Sequence, residues 1–594
     1  MRKFFIGAAV IGVAAVAGYQ WLGTDSSIDS KLTTALSAVP SDTAVLSAYL
    51  EPIDMVAYMR QVGGLTPELL EQLQSDFTEL MNSLSEHENS EQGADAESTA
   101  NINRLKFLFA YANAMLEVIS GDVSLEEQMG YAQNTRVLSY MVGIAPVIRW
   151  ETADSARVVT FIESLENEYS VTPDILTVAG ETVRSYAIDT GSEQQWSVWL
   201  STNNDWTTLS VHSSATPTVD HALLIGAEAA PENVIADGSF DAIRERYALE
   251  YDSVGWMLSE VLTDALSDRQ SNRLGRDLRT IFPEAFAEPE LSQWTDAACQ
   301  ADLQTISERF PGFFSDMQVT SVDADNMRID ARMVLPVVHE NTVGALQKLR
   351  GVVPNFMQRT LDDVTIAMAL GIDASQLGPV ASDLWNATAQ ADFSCAPLVE
   401  LQASMQQQPI GGAFAMTNMA NGLLGLQVLV NDIDVNGLTQ GDFSGQQVVV
   451  STSLNDVASF YSVLQASFPP LAGVNLPAIG DTIDISPVMA MGIGVPISAN
   501  MSRGEHQLTI ATMDAVAQQY REQLNQTSIE ERGLLAVSVD NGKISELIEA
   551  QFTAQGQPVP EELQSFMGQN TVSSLTMDLS LRGLEFVYSA ETSN

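Results

Sequence analysis

Residues Val448–Phe468 read VVVSTSLNDVASFYSVLQASF, and the fold class follows from this pattern. The first half is a continuous apolar and β-branched run, which is typical of a strand. An Asn-Asp pair follows, and an aspartate at that position can accept hydrogen bonds from the free amides of a helix start. The second half repeats apolar side chains at helical spacing. The segment therefore predicts a strand, a short turn and an amphipathic helix.

The same strand–turn–helix pattern recurs along the chain. The further copies are Trp150–Tyr169, Leu249–Leu266, Val364–Trp385 and Leu534–Phe552. The copies also keep their order, since Val158, Phe161 and Leu165 match Val457, Phe460 and Leu464 at an offset of 299, and Ser259–Leu262 matches Ser545–Ile548 at an offset of 286. Ordered recurrence of this kind indicates an internal duplication. Chance resemblance between strand–helix units is the alternative.

We therefore predict an α+β protein with two tandem related modules, each an antiparallel or mixed sheet with packed helices, plus an N-terminal hydrophobic helix. A helical hairpin with a disordered acidic tip is expected inside the first module, and a strand hairpin is expected to close each module. The predicted ranges are 1–23 for a signal peptide or transmembrane anchor, 24–35 for a linker, 36–350 and 354–594 for the modules, 66–120 for the helical hairpin, 85–100 for its acidic loop, and 318–335 and 572–589 for the strand hairpins.

The N-terminus has the pattern of an export segment. Basic Arg2 and Lys3 precede an uncharged run, Phe4–Leu22, whose 19 residues would rise about 28 Å as a helix, close to the thickness of a bilayer core. The basic end is expected to stay cytoplasmic. The alternative is cleavage after Ala17, because Ala15–Ala17 forms an A-x-A-like site. Either outcome predicts a bacterial envelope protein, anchored in the inner membrane and facing the periplasm or released into it.

The cysteine content fits an exported chain. Cys299 and Cys395 are the two cysteines of the sequence, and neither belongs to a CxxC motif. Pairs of this kind form disulfides in oxidising compartments. We predict a bridge between them that ties the two modules together, and two buried thiols are the alternative.

The net charge restricts the partners. The chain has 27 Lys and Arg against 76 Asp and Glu, a formal charge of −49. Such a surface repels phosphate backbones, so we expect no nucleic-acid partner. Adaptation to salty surroundings and a cation-binding surface both remain open as reasons for the acidity.

Catalytic motifs are missing from the sequence. Its histidines are His87, His212, His221, His339 and His506, and no two of them have the i,i+4 spacing of a zinc-protease helix. No GxSxG sequence or glycine-rich phosphate loop occurs either. We therefore assign no catalytic residue and expect no cofactor.

One segment is a weak candidate for calcium. Asp432, Asp434 and Asn436, followed by Asp442, resemble the first half of an EF-hand loop. The twelfth position is Phe443 instead of glutamate, and the flanking residues have strand patterns. Asn436 and Gly437 also suit a tight turn. A hairpin or loop between two strands is therefore the favoured interpretation.

Two groups of methionines raise the question of an apolar ligand. Met416 and Met419 lie in one apolar stretch, and Met489 and Met491 lie in another. Methionine side chains line adaptable pockets as well as filling cores. The main hypothesis is a non-enzymatic envelope protein that binds another envelope protein or acts as a scaffold, and the N-terminal segment would connect it to the membrane. A carrier for lipids or other apolar ligands is the first alternative, and an enzyme of unrecognised type is the second.

The layout resembles a class of uncharacterised exported proteins of Gram-negative bacteria. The shared features are the signal segment, an early strand opening of the type VPSDTAVL at Val39–Leu46, and two later cysteines in duplicated α/β modules. This resemblance implies the localisation and brings no activity or site.

Overall fold

The computed structural model describes residues 29–56, 67–90, 96–121, 123–188, 194–267, 272–321, 327–361, 364–407, 422–434, 437, 445–492, 497–560 and 571–592. These residues form a mixed α+β structure, as the sequence predicts. The chain divides into two compact units, which are described separately. The first unit comprises Met1–Thr320 and Ser394–Ala396, and the second comprises Ser321–Phe393 and Pro397–Asn594.

The first unit is built on an antiparallel sheet with strand order β11-β10-β1-β4-β5-β9-β8-β7-β6. Strand β1 is paired along both edges, since Leu46 lies opposite Trp256 of β10 and Tyr140 of β4. A separate short pair joins β2 and β3. The strands are β1 Val45–Tyr49, β2 Ile53–Asp54, β3 Asn134–Thr135, β4 Val137–Val142, β5 Ala145–Glu151, β6 Asp174–Val178, β7 Glu181–Ile188, β8 Trp196–Thr202, β9 Trp206–Ser213, β10 Ser253–Leu258 and β11 Gly312–Ser321.

Helices cover this sheet and supply the apolar core. Val158 and Ile162 of α5 are fully buried against Leu200 of β8 and Tyr186 of β7. Phe107 of α3 stacks on Tyr186 with the ring centroids 4.8 Å apart. The helices are α1 Ser30–Ser37, α2 Pro67–Ser90, α3 Ala96–Ser120, α4 Leu125–Met129, α5 Ser155–Glu168, α6 His221–Leu224, α7 Ser239–Tyr247, α8 Ser259–Ser267, α9 Arg273–Ile281, α10 Pro283–Ala287, α11 Pro289–Ser292 and α12 Ala297–Arg309.

The second unit is also built on an antiparallel sheet, with strand order β12-β23-β22-β21-β14-β15-β16-β19-β18-β17. Strand β14 is paired along both edges, by β21 and β15. A separate short pair joins β13 and β20. The strands are β12 Met327–Pro336, β13 Gly351–Val352, β14 Ile366–Leu370, β15 Leu423–Asp432, β16 Gln447–Leu454, β17 Thr482–Asp484, β18 Ala499–Arg503, β19 Gln507–Thr512, β20 Arg532–Gly533, β21 Leu535–Asp540, β22 Thr571–Ser580 and β23 Gly583–Thr592.

The core of the second unit lies between this sheet and its helices. Ala367 of β14, Leu429 of β15, Val449 of β16 and Leu524 of α18 are buried together. The helices are α13 Glu340–Gln347, α14 Ala374–Ala389, α15 Ala396–Gln407, α16 Val457–Ser467, α17 Ser486–Gly492, α18 Ala515–Asn525 and α19 Asn541–Ala554.

The predicted strand–helix segments are confirmed. The strand and helix pairs are β5 and α5, β10 and α8, β14 and α14, β16 and α16, and β21 and α19. An aspartate side chain accepts a backbone N–H of the first helical turn at Asp154, Asp373, Asp456 and Asp540. The capping that the sequence suggests is therefore present at four of these five helices.

The boundary between the units lies before the predicted one. The sequence ends the first module at 350, whereas the division falls at Thr320. The reason is β12, which pairs with β23 from Arg328 opposite Glu591 to Pro336 opposite Gly583. This long-range ladder places residues that we expected at the end of the first module in the second unit.

The predicted linker at 24–35 is wrong over its second half. Residues 30–35 belong to α1, whose N-cap Asp29 accepts the N–H of Leu32 at 2.8 Å. Leu32 and Leu36 are fully buried, and Asp29 also pairs with Arg136 at 2.7 Å. These contacts make α1 a part of the first unit. The N-terminal segment 1–23 lies outside the described residues.

The predicted acidic loop at 85–100 is largely helical. Helix α2 continues to Ser90 and α3 begins at Ala96, while 91–95 lie outside the described residues. The predicted hairpin is present, since Phe77 and Phe109 meet edge to face at 5.9 Å. Pairing of the two helices extends them into polar sequence.

Among the helices of the described ranges, none has the length together with the apolar content that a membrane crossing needs.

The two cysteines form the predicted disulfide. Cys299 lies on α12, and Cys395 lies in the segment Ser394–Ala396 that belongs to the first unit. The Asp302 carboxylate accepts the N–H groups of Ser394 and Cys395, each at 2.7 Å. The bridge therefore lies within the first unit, although we expected it to join two modules.

Loss of the bridge is expected to destabilise the first unit. The bonded residues are separated by 96 positions, and the chain-entropy model gives a loss of up to about 4–5 kcal/mol for a loop of that size. Urea unfolding with and without reductant measures the loss, and the Cys299→Ser/Cys395→Ser variant should be insensitive to reductant. Two thiols titrating in the unfolded, unreduced protein would contradict the bridge.

The cap of α5 allows a matched test of helix initiation. The Asp154 carboxylate accepts the N–H groups of Ala156 and Arg157 at 3.0 and 3.1 Å. We expect Asp154→Ala to lower the free energy of unfolding by about 1 kcal/mol, because the acceptor is lost. Asp154→Asn keeps an acceptor oxygen and should stay close to the wild type in the same urea titration. Equal stabilities of the alanine and asparagine variants would refute the capping role.

A buried carboxyl makes stability depend on pH. Asp252 is 3% exposed, and burial raises its pKa to about 6, with the charges of Glu51 and Asp316 adding to the shift and Arg244 opposing it. Because the pKa is higher in the folded state, the protonated form stabilises the fold at low pH, and this contribution is lost as pH rises through about 6.

Asp252→Asn should therefore melt above the wild type at pH 8, and the two should melt together near pH 4. Thermal unfolding of both proteins at several pH values measures this difference. A difference that does not change with pH would contradict the raised pKa.

Candidate functional site

A cavity of about 630 Å³ opens beside the end of β15 in the second unit. Its size is within the range of small-molecule sites. The lining combines carboxylates, one ammonium group, two uncharged polar side chains and an apolar wall. The lining residues are Thr365, Asn431, Asp432, Ile433, Asp434, Lys543, Glu546, Leu547 and Ala550.

Thr365 joins the elements that surround the cavity. Its N–H donates to the carbonyl of Val430 at 2.9 Å, and its hydroxyl donates to the carbonyl of Asn431 at 2.8 Å. Its own carbonyl accepts the N–H of Asp540 at 3.0 Å. The end of β15 and the start of α19 are therefore both held at the residue that precedes β14.

Helix α19 supplies the second wall. Asp540 caps the helix by accepting the N–H of Lys543 at 3.0 Å, and its other oxygen lies 3.6 Å from the Lys543 ammonium group. Residues 543, 546, 547 and 550 have the spacing i, i+3, i+4 and i+7, which is one face of a helix. Lys543 and Glu546 therefore line the cavity beside Leu547 and Ala550.

The weak calcium candidates lie at this cavity. Asp432 and Asp434 line it, whereas Asn436 and Asp442 lie outside the described residues. One oxygen of Asp432 accepts the N–H of Ile433 at 2.8 Å, and one oxygen of Asp434 accepts the N–H of Gly437 at 2.9 Å. These bonds stabilise the connection between two strands.

Strands β15 and β16 pair antiparallel with Asp432 opposite Gln447, and residues 435–436 and 438–444 of their connection lie outside the described residues. In the ranges that the structure describes, no three His, Cys, Asp or Glu side chains are grouped so that they could hold a metal ion. The two aspartates thus belong to a site of mixed chemistry.

Asn431 is a buried polar residue of the lining. It is 4% exposed, and among the described residues neither its Nδ2 nor its Oδ1 has a hydrogen-bond partner. A buried amide without partners costs about 1–3 kcal/mol. A ligand that hydrogen-bonds to this group would recover part of that cost.

The charges of the lining favour a cation. Asp432, Asp434 and Glu546 are three carboxylates against the single ammonium group of Lys543. The side chains of Ile433 and Leu547 add apolar surface at the same place. The arrangement can therefore hold an amine through its carboxylates and a short apolar stem against the wall.

Of the methionines considered as pocket residues, the described Met489 and Met491 do not share one surface. Met489 packs into a core with Leu454 and Tyr461, whereas Met491 is 72% exposed. Met416 and Met419 lie outside the described residues. Among the described residues these methionines therefore do not line one pocket.

The histidines are also spread over the chain. His339 Nδ1 lies 2.9 Å from the Thr342 hydroxyl, and His506 Nδ1 lies 3.2 Å from the carbonyl of Leu454. The side chain of His87 lies outside the described residues. His212 and His221, which sequence reasoning did not connect, are in contact at 3.2 Å.

Sequence reasoning also missed Asn431, Lys543 and Glu546. The available signal was the spacing of Lys543 and Glu546 within the predicted helix of Leu534–Phe552. Their place beside Asp432 depends on strand pairings that join distant segments, which the local pattern does not contain.

No protein-family model, curated protein or solved structure matches the chain. The cavity and its side chains are therefore the basis for a functional proposal.

Proposed function

We propose that the protein is a non-enzymatic binding protein of the bacterial cell envelope, and that its second unit binds a small amine-bearing molecule. The observation that carries this proposal is the cavity in which three carboxylates, one ammonium group and the buried Asn431 carboxamide meet beside an apolar wall. The periplasmic location is proposed from the segment Phe4–Leu22, and the disulfide is compatible with an oxidising compartment.

We also propose that the two units are copies of one module. Supporting this, β1 lies between β10 and β4 as β14 lies between β21 and β15. The order continues through β5, β9 and β8 in the first unit and through β16, β19 and β18 in the second. Each pairing thus joins strands of equivalent position in the chain.

The residues at which the helices start support the same proposal. They also give differences in residue number between the two copies that are not those of the sequence match. Asp154 and Asp456 cap α5 and α16 through the same two amides, with φ of −140° and ψ of 98° and 102°. They are 302 residues apart, whereas the sequence match uses 299. Three residues are nearly one helical turn, so an apolar face still matches after such a shift. In the same way α8 and α19 begin 282 residues apart, at Ser259 and Asn541, and not 286.

Two of the equivalent positions in the first unit are occupied by buried apolar side chains. The N–H of Leu258 donates to the carbonyl of Ala44, and the N–H of Asp540 donates to the carbonyl of Thr365. Ala44 and Thr365 are therefore equivalent. Counting from the helix starts makes Val261 the equivalent of Lys543. Ala44 and Val261 are buried together with Leu274 of α9. At these two positions the polar Thr365 and Lys543 of the second unit are therefore replaced by apolar side chains in the first.

The carrier hypothesis receives less support. An apolar ligand would have to displace water from four charged side chains at this cavity, which is costly. The described methionines do not supply an alternative pocket, because Met489 is part of a core and Met491 faces solvent. A small polar cation fits the lining better.

Calorimetric titration with 1,5-diaminopentane tests the proposed function. We expect saturable binding of one molecule per chain in about 150 mM salt, where attraction to the general acidic surface is screened. Asp434→Asn/Glu546→Gln should weaken binding at least about tenfold, because two carboxylates lose their charge. Glu549→Gln is the matched control, since Glu549 lies on the same helix and outside the lining.

The charge preference is tested with succinate, which should not bind. Equal binding by the double variant, the control variant and the wild type would show that the amine binds elsewhere. Saturable binding of succinate in place of the amine would contradict a cation site. Far-ultraviolet circular dichroism establishes that the variants keep the fold.

A further inference from the structure

Three aromatic rings are packed together in the first unit. Trp199 of β8 is 2% exposed, and His212 of β9 stacks on it with the centroids 4.2 Å apart. The ring of His221, at the start of α6, stands edge-on to both, at 5.0 Å from Trp199 and 4.9 Å from His212. Contacts on a strand pair and a helix therefore hold the two imidazoles in place.

The nitrogen atoms of the two imidazoles converge. His212 Nε2 lies 3.2 Å from His221 Nε2, and the carbonyl of Thr216 lies 3.3 Å from the same atom of His221. Two imidazole ligands at about 2.0–2.1 Å from one metal ion, in tetrahedral geometry, have their nitrogens roughly 3.3 Å apart. The observed separation of 3.2 Å fits that nitrogen–nitrogen distance.

The second nitrogen of His212 has an orienting partner. Ser197 Oγ on the neighbouring strand lies 3.3 Å from His212 Nδ1. Histidines that bind metals commonly have such a partner on the nitrogen that faces away from the ion, and it fixes the ring and its tautomer. Strand β8 thus positions His212 through both Ser197 and Trp199.

We propose that His212 and His221 form a site for a late divalent transition-metal ion, such as Zn²⁺ or Ni²⁺, bound through the two Nε2 atoms. The Thr216 carbonyl, 3.3 Å from His221 Nε2, supplies an oxygen donor beside the pair, and water completes the coordination. Imidazole ligands suit zinc, nickel and copper. Calcium and magnesium prefer oxygen ligands and are excluded by this donor set. The proposal is independent of the amine site, which lies in the second unit.

The nearby carboxylate is engaged elsewhere. Asp220 is adjacent to His221 in the chain and is 2% exposed. Its two oxygens bind Arg273 at 3.0 Å and Arg276 at 2.7 Å. The site therefore has neutral nitrogen ligands, and its affinity rests on the histidine pair.

Calorimetric titration of the tag-free full chain with ZnCl₂ and NiCl₂ tests the site. We expect one ion per chain, and His212→Gln or His221→Gln should each weaken binding at least about tenfold. His339→Gln and His506→Gln are matched controls and should bind as the wild type does. CaCl₂ in excess should not compete.

X-ray absorption of the zinc-loaded wild type provides a test that does not depend on the variants. We expect two imidazole nitrogens at about 2.0–2.1 Å from zinc. Fewer than two imidazoles on zinc would overturn the proposal. Unchanged metal affinity in either His212→Gln or His221→Gln would also overturn it, as would an equal loss of metal affinity in a control variant.

Discussion

Each unit depends on one short strand that is hydrogen-bonded along both of its edges. In the first unit β1 joins β4 and β10, and in the second β14 joins β15 and β21. The carbonyl of the residue before the central strand accepts the N–H of the residue that directly precedes a helix. These pairs are Ala44 with Leu258 in the first unit and Thr365 with Asp540 in the second. The same backbone hydrogen bond therefore precedes both α8 and α19, and in the second unit it lies beside the proposed amine site.

What differs between the units is the chemistry at that place. Apolar Ala44, Val261 and Leu274 close it in the first unit, and burial of apolar surface stabilises the contact. Thr365, Lys543 and the carboxylates line it in the second unit, where polar groups need water or a ligand. On the proposal of duplicated modules, the same backbone supports a stabilising contact in one copy and a binding site in the other.

Local features could be predicted from the sequence. The strand–helix segments and their aspartate caps follow from periodicity and capping chemistry within about 20 residues, and they are present in the structure. The α+β class follows from the same patterns. The disulfide is predictable because Cys299 and Cys395 are the two cysteines of a sequence whose N-terminal segment predicts export.

Long-range features could not be predicted in this way. The end of the first unit is determined by the pairing of β12 with β23, and α1 is held by contacts such as Asp29 with Arg136. Asp432 and Asp434 were selected as calcium candidates from their spacing, and the structure instead engages one oxygen of each with a backbone amide. Lys543 and Glu546 line the same cavity as these aspartates. Strand pairings between distant segments bring them there, and a local sequence pattern contains no information about such pairings.

Native mass spectrometry of the protein purified gently from its own membranes tests the proposed amine site. We expect a retained small molecule whose mass and fragmentation identify an amine, and we expect it to be absent from the Asp434→Asn/Glu546→Gln variant prepared in the same way. A retained lipid, or a bare polypeptide in the wild type under conditions that preserve other ligand complexes, would refute the amine site.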